Sequence, residues 1–194
     1  MDINEEKPET PERIEAIADR LAFKSRFVML FGEIDDKLAL ATCRRLLALS
    51  EQSAAPITLL VSSPGGHVES GDAIHDMIRF VRAPVTTVGT GWVASAGTHV
   101  FLAVPKERRV CLPNTRFMIH QPGGGAGGPA TDIAIQAKEI LRTRERIAKV
   151  IARQTGQSLQ KVLADMERDF WMSAEEAIAY GLVSRIIESS RDLV

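Results

Sequence analysis

Aromatic residues are scarce in this chain of 194 residues, at 5%, and one alone is a tyrosine. Cysteine is scarcer still. Cys43 and Cys111 stand far apart in apolar segments, without C-x-x-C spacing or a metal-ligand pattern, and read as buried reduced thiols. Net charge is nearly missing too: 24 Lys and Arg oppose 25 Asp and Glu, giving −1, with the basic residues scattered. That removes the electrostatic basis for a nucleic-acid or anionic-membrane partner. No apolar run approaches the ~20 residues that span a bilayer. The opening residues 1–6 are acidic and lack the basic and apolar regions of a signal peptide, so the expected location is the cytoplasm. What the chain does have is 45% hydrophobic residues over a length that suits a single domain spanning 1–194, with disorder expected over the polar 1–9.

The apolar pattern alternates between strand and helix. Thr10-Pro11-Glu12 reads as an N-cap followed by proline at the first helical position, opening a helix to about Leu21. Phe27–Phe31 is a continuous apolar run expected to form a strand buried on both faces. A helix from Asp35-Asp36 to about Ser50, a strand at Ile57–Val61, a helix from Ser70 to Val81, a strand at Val85–Val88 and a helix from Ser95 to about Val104 follow. This order predicts an α/β fold with a parallel sheet and right-handed crossovers. Two short strands are expected at Arg109–Leu112 and Arg116–His120, then a glycine-rich mobile loop, Pro122–Pro129. Thr131 to about Gln154 reads as a long helix with Ile133, Ala137, Ile140, Leu141, Ile147, Val150 and Ile151 on one face. Glu139/Arg142 and Glu145/Lys149 are spaced as helix neighbours. A helix of this length projects from so small a domain, and its apolar stripe suits a second copy. Ser158 starts a further helix, Ser173–Tyr180 forms another closed by Gly181, and Val183–Ile187 is a last strand.

Chemistry concentrates around Ser95. It lies in Gly91-Trp92-Val93-Ala94-Ser95-Ala96-Gly97, where the extended run gives way to a helix. A serine there becomes a nucleophile if a base, a group orienting the base and oxyanion donors exist elsewhere. Of four histidines, His120 at the end of a strand and beside a loop is the best base. His99, one turn beyond Ser95 on the same helix, cannot easily turn back to it. For the orienting carboxylate, Asp169 beside Phe170 and Trp171 suits a buried acid, and Asp165 and Glu167 are open alternatives. Donors are available at Ser63-Pro64-Gly65-Gly66, where glycines leave backbone N–H groups unshielded, and at the Ala96 amide in the first turn of a helix. The phosphate-loop pattern G-x-x-x-x-G-K-[S/T] is absent, and the α/β-hydrolase elbow fails because Val93 stands where its glycine belongs. His67, Glu69, Asp72 and His75 could be drawn as metal ligands. They read better as solvated polar residues, and neither a metal nor a cofactor is expected.

Ser63-Pro64-Gly65-Gly66, Gly91–Gly97, Cys111–Asn114, Met118–Pro122, Thr131-Asp132-Ile133, Thr155–Ser158 and Glu167-Arg168-Asp169 ahead of Ala177–Val183 together resemble the proteolytic subunits of the Clp protease, over about residues 26–188. The resemblance implies a ClpP/crotonase-like fold of repeated ββα units with the long helix as a protruding handle, and two stacked seven-membered rings. It implies a serine endopeptidase with Ser95 as nucleophile, His120 as base, Asp169 as orienting acid and the amides of Gly66 and Ala96 as the oxyanion hole. Gly123, Gly124 and Gly125 would belong to a loop binding extended substrate, an unfolded protein or peptide, and an AAA+ unfoldase ATPase would be the partner. Two departures stand out. The family's longer hydrophobic N-terminal segment is replaced by a short acidic one, and Thr58 and Leu60 replace tyrosines that help dock the ATPase. They motivate a second expectation, a weakly active or structural subunit assembling with a paralogue. A third, an acyl-CoA hydratase or isomerase of the crotonase superfamily, is opposed by the Ser95/His120 pair.

Overall fold

The computed structural model describes residues 11–125 and 127–193; the lead-in over 1–9 and the expected cap Thr10 lie outside them. The chain opens with α1 (Pro11–Lys24) and β1 (Phe27–Phe31), then alternates α2 (Asp36–Gln52), β2 (Ile57–Ser63), α3 (Val68–Phe80), β3 (Val85–Ala94) and α4 (Ala96–Phe101). Two short strands, β4 (Arg109–Cys111) and β5 (Arg116–Ile119), precede α5 (Ala130–Thr155). After α6 (Leu159–Asp165) come β6 (Phe170–Met172), α7 (Ala174–Tyr180) and β7 (Arg185–Ile186). Local chemistry sets several of the boundaries. Asp35 caps α2 by accepting from the Leu38 amide at 2.7 Å, Ser158 caps α6, and Ser173 with Glu176 forms a capping box on α7.

The strands β1-β2-β3-β4-β7 run parallel in that order, while β5 pairs parallel with the far half of β3 and antiparallel with β6. The parallel α/β expectation therefore holds, with one hairpin-like addition. β3 is much longer than Val85–Val88. Its first half lies between β2 and β4, and its second half, Trp92–Ala94, pairs with Arg116–Met118 of β5. The chain crosses from one arrangement to the other at Gly89–Gly91, where a Cβ on Gly89 would fall 3.1 Å from the Phe117 ring. The expected strand stops at Val88, just short of these glycines, which permit close packing and let the strand continue.

The main apolar cluster lies between the sheet and its helices, with Leu30, Leu46, Leu49, Ile57, Leu59, Val61, Ile74, Phe101 and Phe117 fully enclosed. β1 corrects the expectation of burial on both faces: Val28 and Leu30 point inward, while Met29 and Phe31 are 46% and 50% exposed. It is an edge strand, covered on one side. α4 ends at Phe101 rather than near Val104, although Leu102, Ala103 and Val104 remain buried. The long helix projects as expected. Among its described residues, Ala148 and Ile151 in the second half are buried, while Ile133, Ile135 and Leu141 lie open. Both anticipated ion pairs form along it, Arg142 with Glu139 and Lys149 with Glu145.

Candidate active site

Ser95 sits at the junction of β3 and α4 with φ 55° and ψ −122°, a conformation rarely held by a residue with a side chain. Neighbouring bonds hold it there. The Ser95 amide donates to the Met118 carbonyl at 3.0 Å, and the Thr98 hydroxyl lies 2.7 Å from the Val93 carbonyl and 2.8 Å from that of Met118. The turn thus presents Oγ at the end of a strand, as a nucleophile elbow does, but without the glycine two residues earlier.

The neighbouring strand end supplies the histidine. β5 pairs with β3 and delivers His120 so that Nε2 lies 2.8 Å from Ser95 Oγ, while Nδ1 lies 3.0 Å from Asp169 Oδ1. Asp169 arrives from the segment before β6, whose antiparallel pairing with β5 brings residues 49 positions apart into contact. The three open carboxylate choices separate cleanly. Asp165 binds Lys161 and the Tyr180 hydroxyl, Glu167 binds Arg144, and Asp169 alone of them meets His120. The expected burial of Asp169 is corrected, since its side chain is 62% exposed against 31% for His120. Phe170 and Trp171 lie on β6 beyond it and leave the carboxylate at the rim.

The Ser63–Gly66 turn lies directly against Ser95. A Cβ on Gly65 would fall 2.5 Å from Ser95 Cβ and 3.0 Å from the Ala96 nitrogen, and one on Gly66 would fall 2.3 Å from the Ile34 carbonyl. Gly65 and Gly66 have φ of 99° and 145°, so both space and backbone exclude a side chain. Ile34 braces the turn, donating to the Gly65 carbonyl and accepting from the His67 amide, each at 2.8 Å. Among the described residues, neither the Gly66 nor the Ala96 N–H donates to another protein group. Two free amides beside one serine hydroxyl can stabilise an oxyanion formed there.

A narrow cleft beside Ser95 is lined by Val68, Ala96, Ile119, Pro122, Ile147 and Ile151, with Ser95, His120 and His99 as its polar members. Sequence reasoning set His99 aside, yet it forms part of this wall. Gly123, Gly124 and Gly125 follow Pro122 as exposed backbone; a Cβ would meet nothing at Gly123 or Gly125 and the Ile140 side chain at Gly124. Gly123, Gly125 and Gly128 also spell G-x-G-x-x-G between β5 and α5. The Asp132 carboxylate in the first turn of α5 lies near Gly128, where a phosphate would have to sit. The four residues once drawn as ligands go separate ways: His67 lies beside Ser70 and Glu69, Asp72 binds His99 and Arg146, and His75 binds the His99 carbonyl. Among the described residues no group of three or more His, Cys, Asp or Glu is arranged to hold a metal ion. Both cysteines are free, and burial pushes their thiols up, Cys111 to about 12, which removes them as competing nucleophiles.

Known proteins resemble this chain over nearly its whole length. The family model described as Clp protease matches residues 9–190. The chain is 59% identical over 173 residues to the ATP-dependent Clp protease proteolytic subunit 2 of Gluconobacter oxydans, covering 88% of this chain and 78% of that one. It is 52% identical over 192 residues to the ATP-dependent Clp protease proteolytic subunit 3 of Rhizobium meliloti, covering 99% and 97%. Among solved structures, ClpP1 from Listeria monocytogenes superposes with a TM-score of 0.82 at 48% identity, covering 92% of this chain and 99% of that one. The chain belongs to the Clp protease family, whose proteolytic subunits are serine-type endopeptidases.

Proposed function

We propose that Ser95 is the nucleophile of this endopeptidase, His120 its general base, Asp169 the carboxylate that orients the imidazole, and the Gly66 and Ala96 amides its oxyanion donors. The carrying observation is the unbroken line from Asp169 through His120 to Ser95, at 3.0 and 2.8 Å. With Nδ1–H donating to Asp169, the His120 ring keeps its Nε2 lone pair toward Ser95 Oγ. As Oγ attacks a peptide carbonyl, its proton passes to Nε2 and negative charge develops on the carbonyl oxygen. Two N–H donors fixed in the backbone meet that charge without reorganising. Collapse breaks the C–N bond, and the leaving amine takes the proton from Nε2. Water, deprotonated by the same nitrogen, then attacks the Ser95 ester and releases the acid product. Replacing Ser95 with alanine abolishes labelling by a fluorophosphonate probe and peptide hydrolysis; persistent labelling overturns the assignment.

The substrates on this reading are unfolded proteins or peptides, held extended along the exposed backbone of Gly123, Gly124 and Gly125 beside the cleft. The assembly is two stacked seven-membered rings. The open Ile133, Ile135 and Leu141 on α5, 41%, 57% and 62% exposed, supply apolar surface for a second copy. An AAA+ unfoldase feeds the particle. The words "ATP-dependent" in the relatives' names support that partner, and on this reading the pair works in the cytoplasm, in protein quality control. The numbers 2 and 3 in those names favour a second reading, assembly with a paralogue. Peptidase activity and particle mass measured on the protein purified alone separate the two: an active tetradecamer supports the first, and an inactive or smaller particle supports the second.

A further inference from the structure

A second Asp–His pair lies behind Ser95, and the reaction steps above do not use it. His99 is buried, and its Nε2 lies 2.9 Å from Asp72 Oδ1. Asp72 belongs to α3, and both of its oxygens are gripped by Arg146 of α5, at 2.7 and 2.6 Å. His99 belongs to α4, and its amide donates to the Ser95 carbonyl at 3.2 Å, closing the helix's first turn. The His75 ring stacks on His99 at 4.3 Å and 13°, with Nδ1 2.9 Å from the His99 carbonyl. Next along α3 from Asp72, Gly71 packs so closely that a Cβ would fall 3.2 Å from that of Ala96. One carboxylate thus joins three helices at the turn that carries the nucleophile and one oxyanion donor.

We propose that Asp72 is a positioning residue for the peptidase reaction, tying α5 through Arg146 to His99 and so holding the Ser95–Ala96 turn in its reactive conformation. The inference rests on the assignment of Ser95 as nucleophile. The turn needs external support because Ser95 is held at a positive φ that an unrestrained chain abandons. The support comes from α5, and its residues Ile147 and Ile151, which follow Arg146 along the helix, also wall the cleft beside Ser95. Docking of the inner half of α5 and alignment of the active turn therefore go together. Asp72 is equipped to stay charged: burial opposes its ionisation, but hydrogen bonds from His99 and Arg146 outweigh that and hold its carboxyl far below the ordinary carboxylate range.

The test uses the full chain with Asp72→Asn and Arg146→Ala singly and together, the latter residue being partly exposed and tolerant of truncation. With a fluorogenic peptide, each single variant lowers kcat about tenfold while KM stays within about twofold, since a misaligned turn harms the transition state more than ground-state binding. A peptide boronate, which forms the tetrahedral adduct on Ser95, weakens by the same factor as kcat. The double variant is no worse than the poorer single, because both break one chain of contacts. Arg146→Lys recovers part of the loss. If Asp72→Asn fails to fold, Arg146→Ala and Arg146→Lys carry the same test alone. Unchanged kcat in a folded Arg146→Ala, multiplying losses in the double variant, or a rise in KM alone would each overturn the proposal. Failure of the Ser95 assignment reads differently, as fluorophosphonate labelling that survives Ser95→Ala.

Discussion

Ser95 lies between two aspartate–histidine pairs of nearly equal length, His120–Asp169 at 3.0 Å and His99–Asp72 at 2.9 Å. Their settings differ in three respects. The first stands at a rim with both side chains reaching solvent, and Nε2 of His120 faces the serine hydroxyl. The second is enclosed, its Nε2 is taken by Asp72, and Arg146 neutralises the carboxylate. The backbone also decides, because His99 follows Ser95 down one helix and meets its carbonyl, not its hydroxyl. A general base needs a free nitrogen that faces the hydroxyl and the substrate; Nε2 of His120 does, whereas the remaining nitrogen of His99, Nδ1, is buried without a partner among the described residues. The comparison teaches that an Asp–His pair is a base or a strut according to which nitrogen the aspartate occupies and what shares that aspartate.

Exchanging the histidines breaks the comparison most sharply. His120→Ala lowers kcat by about 10⁶-fold, the loss seen when a triad base is removed, whereas His99→Gln costs roughly tenfold. Comparable losses at the two positions, measured as kcat on one peptide, would collapse the distinction between base and strut. The aspartates sharpen it. Asp169→Asn removes the acceptor that fixes the His120 tautomer and lowers kcat by about 10⁴-fold, far beyond Asp72→Asn. A small effect at Asp169 would mean that its exposed carboxylate orients His120 weakly in this protein.

Below these comes the backbone donor. Gly66→Ala forces a Cβ against the Ile34 carbonyl at 2.3 Å, so the turn carrying the Gly66 amide must move. Loss of one oxyanion donor lowers kcat by about 10²–10³-fold. A Gly66→Ala enzyme with full kcat would remove that amide from the oxyanion hole.

How much of this could be read from the chain follows from contact distance. Ser95 among small residues, His120 at a strand end and Gly65-Gly66 after a strand are local signals. Gly156 and Gly181 closing α5 and α7, with φ of 79° and 96°, are local too. Asp169 could not be chosen over Asp165 and Glu167, because what selects it is the antiparallel pairing of β5 with β6, three residues without periodicity. The far half of β3 was missed because Gly89 and Gly91 carry the letters of a turn while packing under Phe117 and Ser62. β1 misled through composition, since five apolar residues in a row do not say whether a second layer covers the outer face. The Asp72–His99–Arg146 junction spans three helices, and no sequence pattern announces it.

The smallest expected effect concerns stability and distinguishes the enclosed side from the rim. Burial, reinforced by His99, pushes the His75 imidazole down to about 4 from an ordinary 6.5. Because the folded value lies below the unfolded one, the unfolded chain binds more protons between those values, so stability rises with pH across that window. The contribution is complete above pH 6.5 and is lost progressively as pH falls toward 4, amounting to about 3 kcal/mol. His75→Phe keeps an aromatic ring on His99 and forfeits the bond to the His99 carbonyl, a cost of about 1 kcal/mol at every pH. Denaturant midpoints between pH 7 and 4 should therefore fall more steeply in the wild type than in the variant, and the curves should cross, because a loss of about 3 kcal/mol exceeds an offset of about 1 kcal/mol. Parallel curves would show that His75 does not titrate as a buried base, and the enclosed pair would then differ from the rim pair in geometry alone.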